Sequence, residues 1–245
     1  MTSPFRIELI GAAAALGVQV SEATELPAAM EALGLYPPRP TVVVVGGAAG
    51  LNEARIHGLP AVFATGIAAV MGRCGAVGVD GGTPFGVMRL FGEAREGAFP
   101  LVGVVAAGTV SLPRGQAFGH AEAVLEAHHT HFVIVPGDKW GAEAPWIART
   151  ATVLAQAMPS ITVLVNGGEI AYSDVAHSVD AGRRVVVIAG SGGTADVLAD
   201  ALAGDPADYR TAALISSGLI RVIRMDQPTL LAEVLTATLG EPAAT

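Results

Sequence analysis

Lysine is nearly absent from this chain, with Lys139 the single example among 245 residues. Fourteen basic residues against 22 acidic ones leave a formal charge of −8, so there is no cationic footprint from which to assemble phosphate-backbone contacts. Nucleic acid is therefore excluded as a partner. Cysteine is just as scarce: Cys74 stands alone, which rules out an intrachain disulfide framework and a multi-cysteine metal site and is the usage expected of a reducing, cytoplasmic setting. Charged residues make up only 15% and aromatics 5%. Long uninterrupted apolar runs are also missing. The longest, Leu59 to Gly72, contains Pro60 and Gly66 and is shorter than the roughly 20 residues needed to span a bilayer, so no membrane partner is expected. Pro4, Arg6 and Glu8 interrupt any secretory h-region at the start.

What is abundant is small and apolar. Half of the residues (51%) are hydrophobic and 31 are glycine. The run Thr41 to Val45 is nearly all β-branched and ends in Gly46-Gly47-Ala48-Ala49-Gly50, a buried strand followed by a tight loop. The same unit recurs at Val77 to Asp80, Leu101 to Val105, His131 to Val135, Ile161 to Val165, Val185 to Ile188 and Ile220 to Ile223. Helical periodicity fills most intervals, for example Ala142 to Met158, Asp196 to Ala203 and Pro228 to Leu239. Alternating strands and helices predict an α/β fold: a Rossmann-like, doubly wound, mainly parallel sheet of about seven strands with helices on both faces. Residues 1–245 read as one domain, with 1–40 an N-terminal extension carrying a strand near Phe5 to Ile10 and a helix near Glu25 to Leu35, and 241–245 a frayed tail. Pro113, Gly115 and Gly119 mark Val110 to Glu122 as a long surface loop or lid.

In such a sheet the carboxyl ends of the strands open onto one edge, and ligands bind where the strand order reverses. The glycines fall at those ends. There they permit positive φ and bring backbone N–H groups close to a ligand, and a following helix start favours an anion by about 0.3 to 1 kcal/mol per exposed charge. Three loops fit best: Gly46-Gly47-Ala48-Ala49-Gly50, Gly81-Gly82-Thr83-Pro84-Phe85-Gly86, and Gly190-Ser191-Gly192-Gly193-Thr194. Asn166, Gly167, Gly168 and Asp138 lie on the same edge. Asp80 either accepts ribose hydroxyls or caps the turn that follows it. Trp140 and Trp146 either stack on a base or anchor packing. His120, His128, His129 and His131 either gather a metal or, without matching carboxylates or thiols, bond backbone at the opposite edge of the sheet. A Walker loop is missing, and the first glycine loop is not a G-x-G-x-x-G, which excludes a P-loop NTPase and disfavours an ordinary NAD dehydrogenase. The pocket is expected to take a nucleotide-derived small molecule, with no resident cofactor or metal. The apolar richness also leaves room for a homo-oligomeric interface.

These loops, with Asp80 through Ala94, His129-Thr130-His131-Phe132, Ile161 to Gly168 and Gly190 to Asp196, resemble the SLOG superfamily over about Pro40 to Ala203. The match is to the branch at the amino-terminal end of melastatin-type TRP cation channels and in free-standing bacterial proteins, sometimes called LSDAT. The resemblance implies a strand-end pocket that senses ADP-ribose or a related NAD product. The more distant LOG phosphoribohydrolases use a G-G-x-G-T-x-x-E loop to cleave an N-glycosidic bond. Laying Gly193-Thr194 on its Gly-Thr puts Val197 where the Glu belongs, and a valine cannot do acid–base work. A hydrolase would have to use Asp138, Glu143 or Asp196 instead.

Overall fold

A computed structural model of the chain describes residues 3–47, 53–111 and 123–240. In chain order the elements are β1 (Phe5–Ile7), β2 (Ala15–Gln19), α1 (Leu26–Ala32), β3 (Thr41–Gly46), α2 (Glu53–Ala61), a π-helical segment (Val62–Ala68), α3 (Ala69–Cys74), β4 (Val77–Asp80) and α4 (Gly86–Ala94). There follow β5 (Leu101–Ala106), β6 (Val110–Ser111), β7 (Ala123–Val124), β8 (His131–Val135), α5 (Ala144–Ala155), β9 (Ser160–Val165), α6 (Glu169–Asp180), β10 (Arg184–Ala189), α7 (Gly193–Ala203), α8 (Tyr209–Ser216), β11 (Ile220–Arg224) and α9 (Pro228–Leu239).

All seven strands expected from the β-branched runs are present, but the main sheet has nine, ordered β1-β2-β8-β5-β4-β3-β9-β10-β11. Every neighbouring pair is parallel except β1 with β2. The two additional strands come from residues 1–40, which the sequence divided into one strand and one helix. β2 was overlooked because it carries Gly17 and an exposed Leu16; the glycine leaves room for the Phe5 and Ile7 side chains of β1 to lie across it. Val110 and Ser111 pair with Ala123 and Val124 in a separate two-stranded ladder, and the rest of the expected loop lies outside the described residues, as do Ala48 and the 241–245 tail.

The strands are continuously apolar because both faces are covered, and the period of two sorts their side chains between two cores. Val43, Val45, Val185 and Val187 pack with α1, α5, α6 and α7 on one face. Val42, Val44, Val186 and Ile188 pack with the π-segment, α3, α4 and α9 on the other. Pro60, which has no N–H to donate, sits two residues before the helix widens to π spacing at Val62. Among the described residues no helix is long and apolar enough to cross a membrane.

This topology determines where a site can form. From β3 the chain steps outward through β4, β5 and β8, then returns across the sheet in α5 to place β9 on the other side of β3. The strand order therefore reverses between β3 and β9, and the crevice lies outside their carboxyl ends.

Candidate functional site

A cleft of about 700 Å³ opens at that reversal. Its back is Val44, Val45, Gly46 and Gly47 at the end of β3. One side is Gly81, Thr83, Phe85 and Met88, running from the loop after β4 into α4. The other side is formed by Trp140, Glu143 and Ile147 before and within α5, and by Gly168, Glu169, Ile170, Ala171 and Asp174 at the start of α6. Among the described residues the lining is predominantly apolar and includes no lysine or arginine.

Gly46 explains why the cleft reaches the sheet. Its φ is +149°, and a Cβ there would collide with the carbonyl oxygen of Val165 on β9, so only glycine lets the two strand ends approach so closely. Gly47 then lies against Gly167 and Gly168, and the amide of Asn166 reaches the Gly47 carbonyl at 3.4 Å. The amino end of α6 faces this backbone. Its N-cap is Gly168, which offers no capping side chain, so the helix start is one that suits an anion.

Of the residues expected at the site, Gly46, Gly47, Gly81, Thr83 and Gly168 line the cleft together. Gly190 to Thr194 do not. They form a buttress behind the wall: the first-turn N–H groups of Thr194 and Ala195 donate to the carbonyls of Gly167 and Asn166 at 2.9 and 3.1 Å, and Gly190 N–H donates to Asp196. The Ser191 hydroxyl is buried; it donates to the Ile188 carbonyl at 2.5 Å and accepts the Asn166 N–H at 2.7 Å. Asn166, Gly167 and Gly82 are likewise buried, while Asp138 is exposed beyond the lining and Gly86 starts α4 behind it. Val197 is 46% exposed on α7.

Asp80 takes the turn-capping role. Its fully buried carboxylate accepts the Gly82 N–H at 2.7 Å and holds the glycine loop in place. The same oxygen meets Nε2 of His129 at 2.7 Å, and His129 Nδ1 meets Glu126 at 2.8 Å. The expectation that these histidines bond backbone is thus wrong for His129, whose partners are two carboxylates, and for His128, whose ring meets Glu126 at 2.7 Å. Both ring nitrogens of His129 face acceptors, so both donate and the ring is an imidazolium. Burial alone would lower its pKa, but Asp80 and Glu126 outweigh that and raise it to about 9. Gly92 of α4 makes room for the Glu126 carboxylate, which a Cβ at that position would strike. Among the described residues no His, Cys, Asp and Glu group is placed to hold a metal ion. His120 lies outside them.

Two carboxyls in the cleft have little compensation. Glu143 accepts the Gly141 N–H at 3.0 Å, yet burial pushes its pKa up. Asp174, 8% exposed, has no hydrogen-bond partner among the described residues; burial, and then the nearby Glu143, raise its pKa to about 7. Glu143 was foreseen as a candidate acid, whereas Asp174 was not. Its signal was present in the pattern of α6, where Ala171, Asp174, Val175 and Ser178 make up the buried face and one member of that face is a carboxylate.

Comparison with known proteins bears on the same elements. The chain is 26% identical over 224 residues to transient receptor potential cation channel subfamily M member 2 of Mus musculus, and equally so to the Rattus norvegicus protein. Each match covers 76% of this chain and only 15% of the relative. The family model for the prokaryotic SLOG domain found in TRPM matches residues 39–232, which takes in every strand from β3 to β11 and all the cleft-lining residues. The chain belongs to that prokaryotic LSDAT family, whose membership implies a nucleotide-derived ligand-binding or signalling module.

Proposed function

We propose that this protein binds ADP-ribose or a related NAD metabolite in the β3–β9 cleft and acts as a ligand sensor in the cytoplasm, with no nucleic-acid or membrane partner. The observation that carries this reading is the meeting of Gly46-Gly47 with the uncapped start of α6 at the point where the strand order reverses. Phosphate would sit on that backbone, since among the described residues lining the cleft there is no lysine or arginine to hold it. Gly81 and Thr83 line the same cleft for a ribose, and Trp140 and Phe85, in edge-to-face contact at 6.0 Å, line it for a base. The remainder of the lining is apolar, as small-molecule pockets generally are.

A second reading, N-glycoside hydrolysis, is favoured by one feature: of the three carboxylates named for it, Glu143 lines the cleft with its pKa raised, as a general acid requires. One experiment separates the two. The protein is incubated with ADP-ribose, cyclic ADP-ribose, NAD and AMP, and both melting temperature and products are followed. A ligand at 100 times its Kd stabilises by about 2.7 kcal/mol. Stabilisation without turnover is the expected result. Release of a free base makes the protein a hydrolase, and no response to any of the four removes the nucleotide reading.

A further inference from the structure

One carboxyl that lines the cleft makes no hydrogen bond to any described residue. Asp174 belongs to the buried face of α6, between Ala171 and Ser178, and lines the cleft with Glu143, the N-cap of α5, and Ile147 within that helix. It is more than nine-tenths buried, lines the cleft, and has no hydrogen-bond partner among the described residues. Among the described residues Glu143 is the one charged group that perturbs it, and that interaction is repulsive. A carboxyl in this position costs the folded protein free energy, whether it stays ionised without a partner or takes up a proton. Nothing in the packing requires it, since neighbouring positions on the same helix face are alanine and valine. Such a group gains a role once a ligand supplies the missing partner.

The surroundings restrict what that partner can be. Trp140 and Phe85 meet edge to face at 6.0 Å and line the cleft together with Asp174, Ile147, Ala171 and Met88, so that the lining shared with the carboxyl is mainly apolar and aromatic. This suits a flat ring whose faces are apolar and whose edge carries polar atoms. A protonated carboxyl presents one O–H donor and one carbonyl acceptor side by side in a plane. An amino group next to a ring nitrogen, as on the edge of an aminopyrimidine or adenine ring, presents the complementary pair. Resting on the reading above that the cleft takes a nucleotide-derived ligand, we propose that Asp174 is the base-reading residue: its carboxyl pairs with the amino and ring-nitrogen edge of a heteroaromatic base whose ring lies against Trp140 and Phe85.

The test compares wild type with Asp174→Ala and Asp174→Asn by calorimetry, using ADP-ribose and ribose 5-phosphate as probes, and records the melting temperature of each unliganded protein. Asp174→Ala should weaken ADP-ribose at least tenfold and leave ribose 5-phosphate, which has no base, unchanged. Asp174→Asn keeps a planar donor and acceptor and should retain ADP-ribose binding within a few-fold. Both variants, freed of the unsatisfied carboxyl, should melt about 2 to 4 °C higher than wild type without ligand. Unchanged ADP-ribose affinity in Asp174→Ala overturns the assignment while leaving the nucleotide-binding reading intact. Equal weakening of both probes overturns it too, because the residue would then be shaping the cleft as a whole. If wild type binds neither probe, the functional reading fails and this assignment fails with it.

Discussion

Replacing His129 with alanine should be the most damaging single change at the candidate site, although His129 does not touch the cleft. The substitution leaves Asp80 and Glu126 facing each other in a region where all three side chains are at most 2% exposed, with the imidazolium between them removed. Breaking a buried pair by deleting one partner typically costs about 3 to 5 kcal/mol. The titration of His129 gives an independent figure: a pKa raised from 6.5 to about 9 corresponds to roughly 3 kcal/mol of stabilisation in the charged form. For a chain of this size that is a fall in melting temperature of about 6 to 20 °C. The sign in pH follows from the same shift. A group whose pKa is higher in the folded state stabilises fully below its unfolded value, so the contribution is complete below pH 6.5 and is lost as pH rises through 9. Thermal or urea unfolding of wild type should therefore show stability declining over pH 6.5 to 9, and His129→Ala should be less stable below that window and flatter within it. Because Asp80 also holds the Gly82 N–H, the variant should bind ligand more weakly even where it is folded. A His129→Ala protein within 2 °C of wild type at pH 6 would refute the charged-triad account.

Three further outcomes can be checked with the same instruments. Gly46→Val forces a side chain with unfavourable φ into the Val165 carbonyl and should separate the ends of β3 and β9, giving a fall in melting temperature and loss of ADP-ribose binding in calorimetry. Ser191→Ala removes the buried acceptor for the Asn166 N–H and should cost about 1 to 3 kcal/mol in urea unfolding, while ADP-ribose affinity changes by no more than a few-fold, as befits a buttress. At acid pH two buried groups act in opposition. His131, held neutral by burial with a pKa of about 4, makes stability fall as pH drops from 6.5 toward 4, whereas Asp174, with its pKa near 7, makes stability fall as pH rises from 3.8 toward 7. Removing the opposing Asp174 slope, Asp174→Asn should lose stability toward acid more steeply than wild type between pH 6.5 and 4 in denaturation curves.

The parts of this molecule that were legible in the sequence are those governed by local chemistry. Runs such as Thr41 to Val45 and Val185 to Ile188 could only be strands buried on both faces, and the glycines after them could only mark turns at the strand ends. What local chemistry does not contain is the order of the strands. Gly190-Ser191-Gly192-Gly193-Thr194 looks as suited to phosphate as Gly46-Gly47 does, and it is displaced from the cleft because β10 lies one strand beyond the reversal, where the start of α7 bonds the loop after β9 instead. Asp80 and His129 are 49 residues apart and meet because the segment before β8 lies against the end of β4. Their pairing depends on tertiary packing and has no signature at either position. Asp174 was legible in principle, as a charge on an otherwise apolar helix face, but only once the boundaries of α6 are known.

Whether the crevice between β3 and β9 holds a nucleotide-derived ligand can be read from amide hydrogen exchange with and without saturating ADP-ribose. Binding there should slow exchange at Gly46-Gly47, Gly81 to Thr83 and Gly168 to Ala171. Protection confined to Gly190 to Thr194, or no protection at any of these segments, would contradict it.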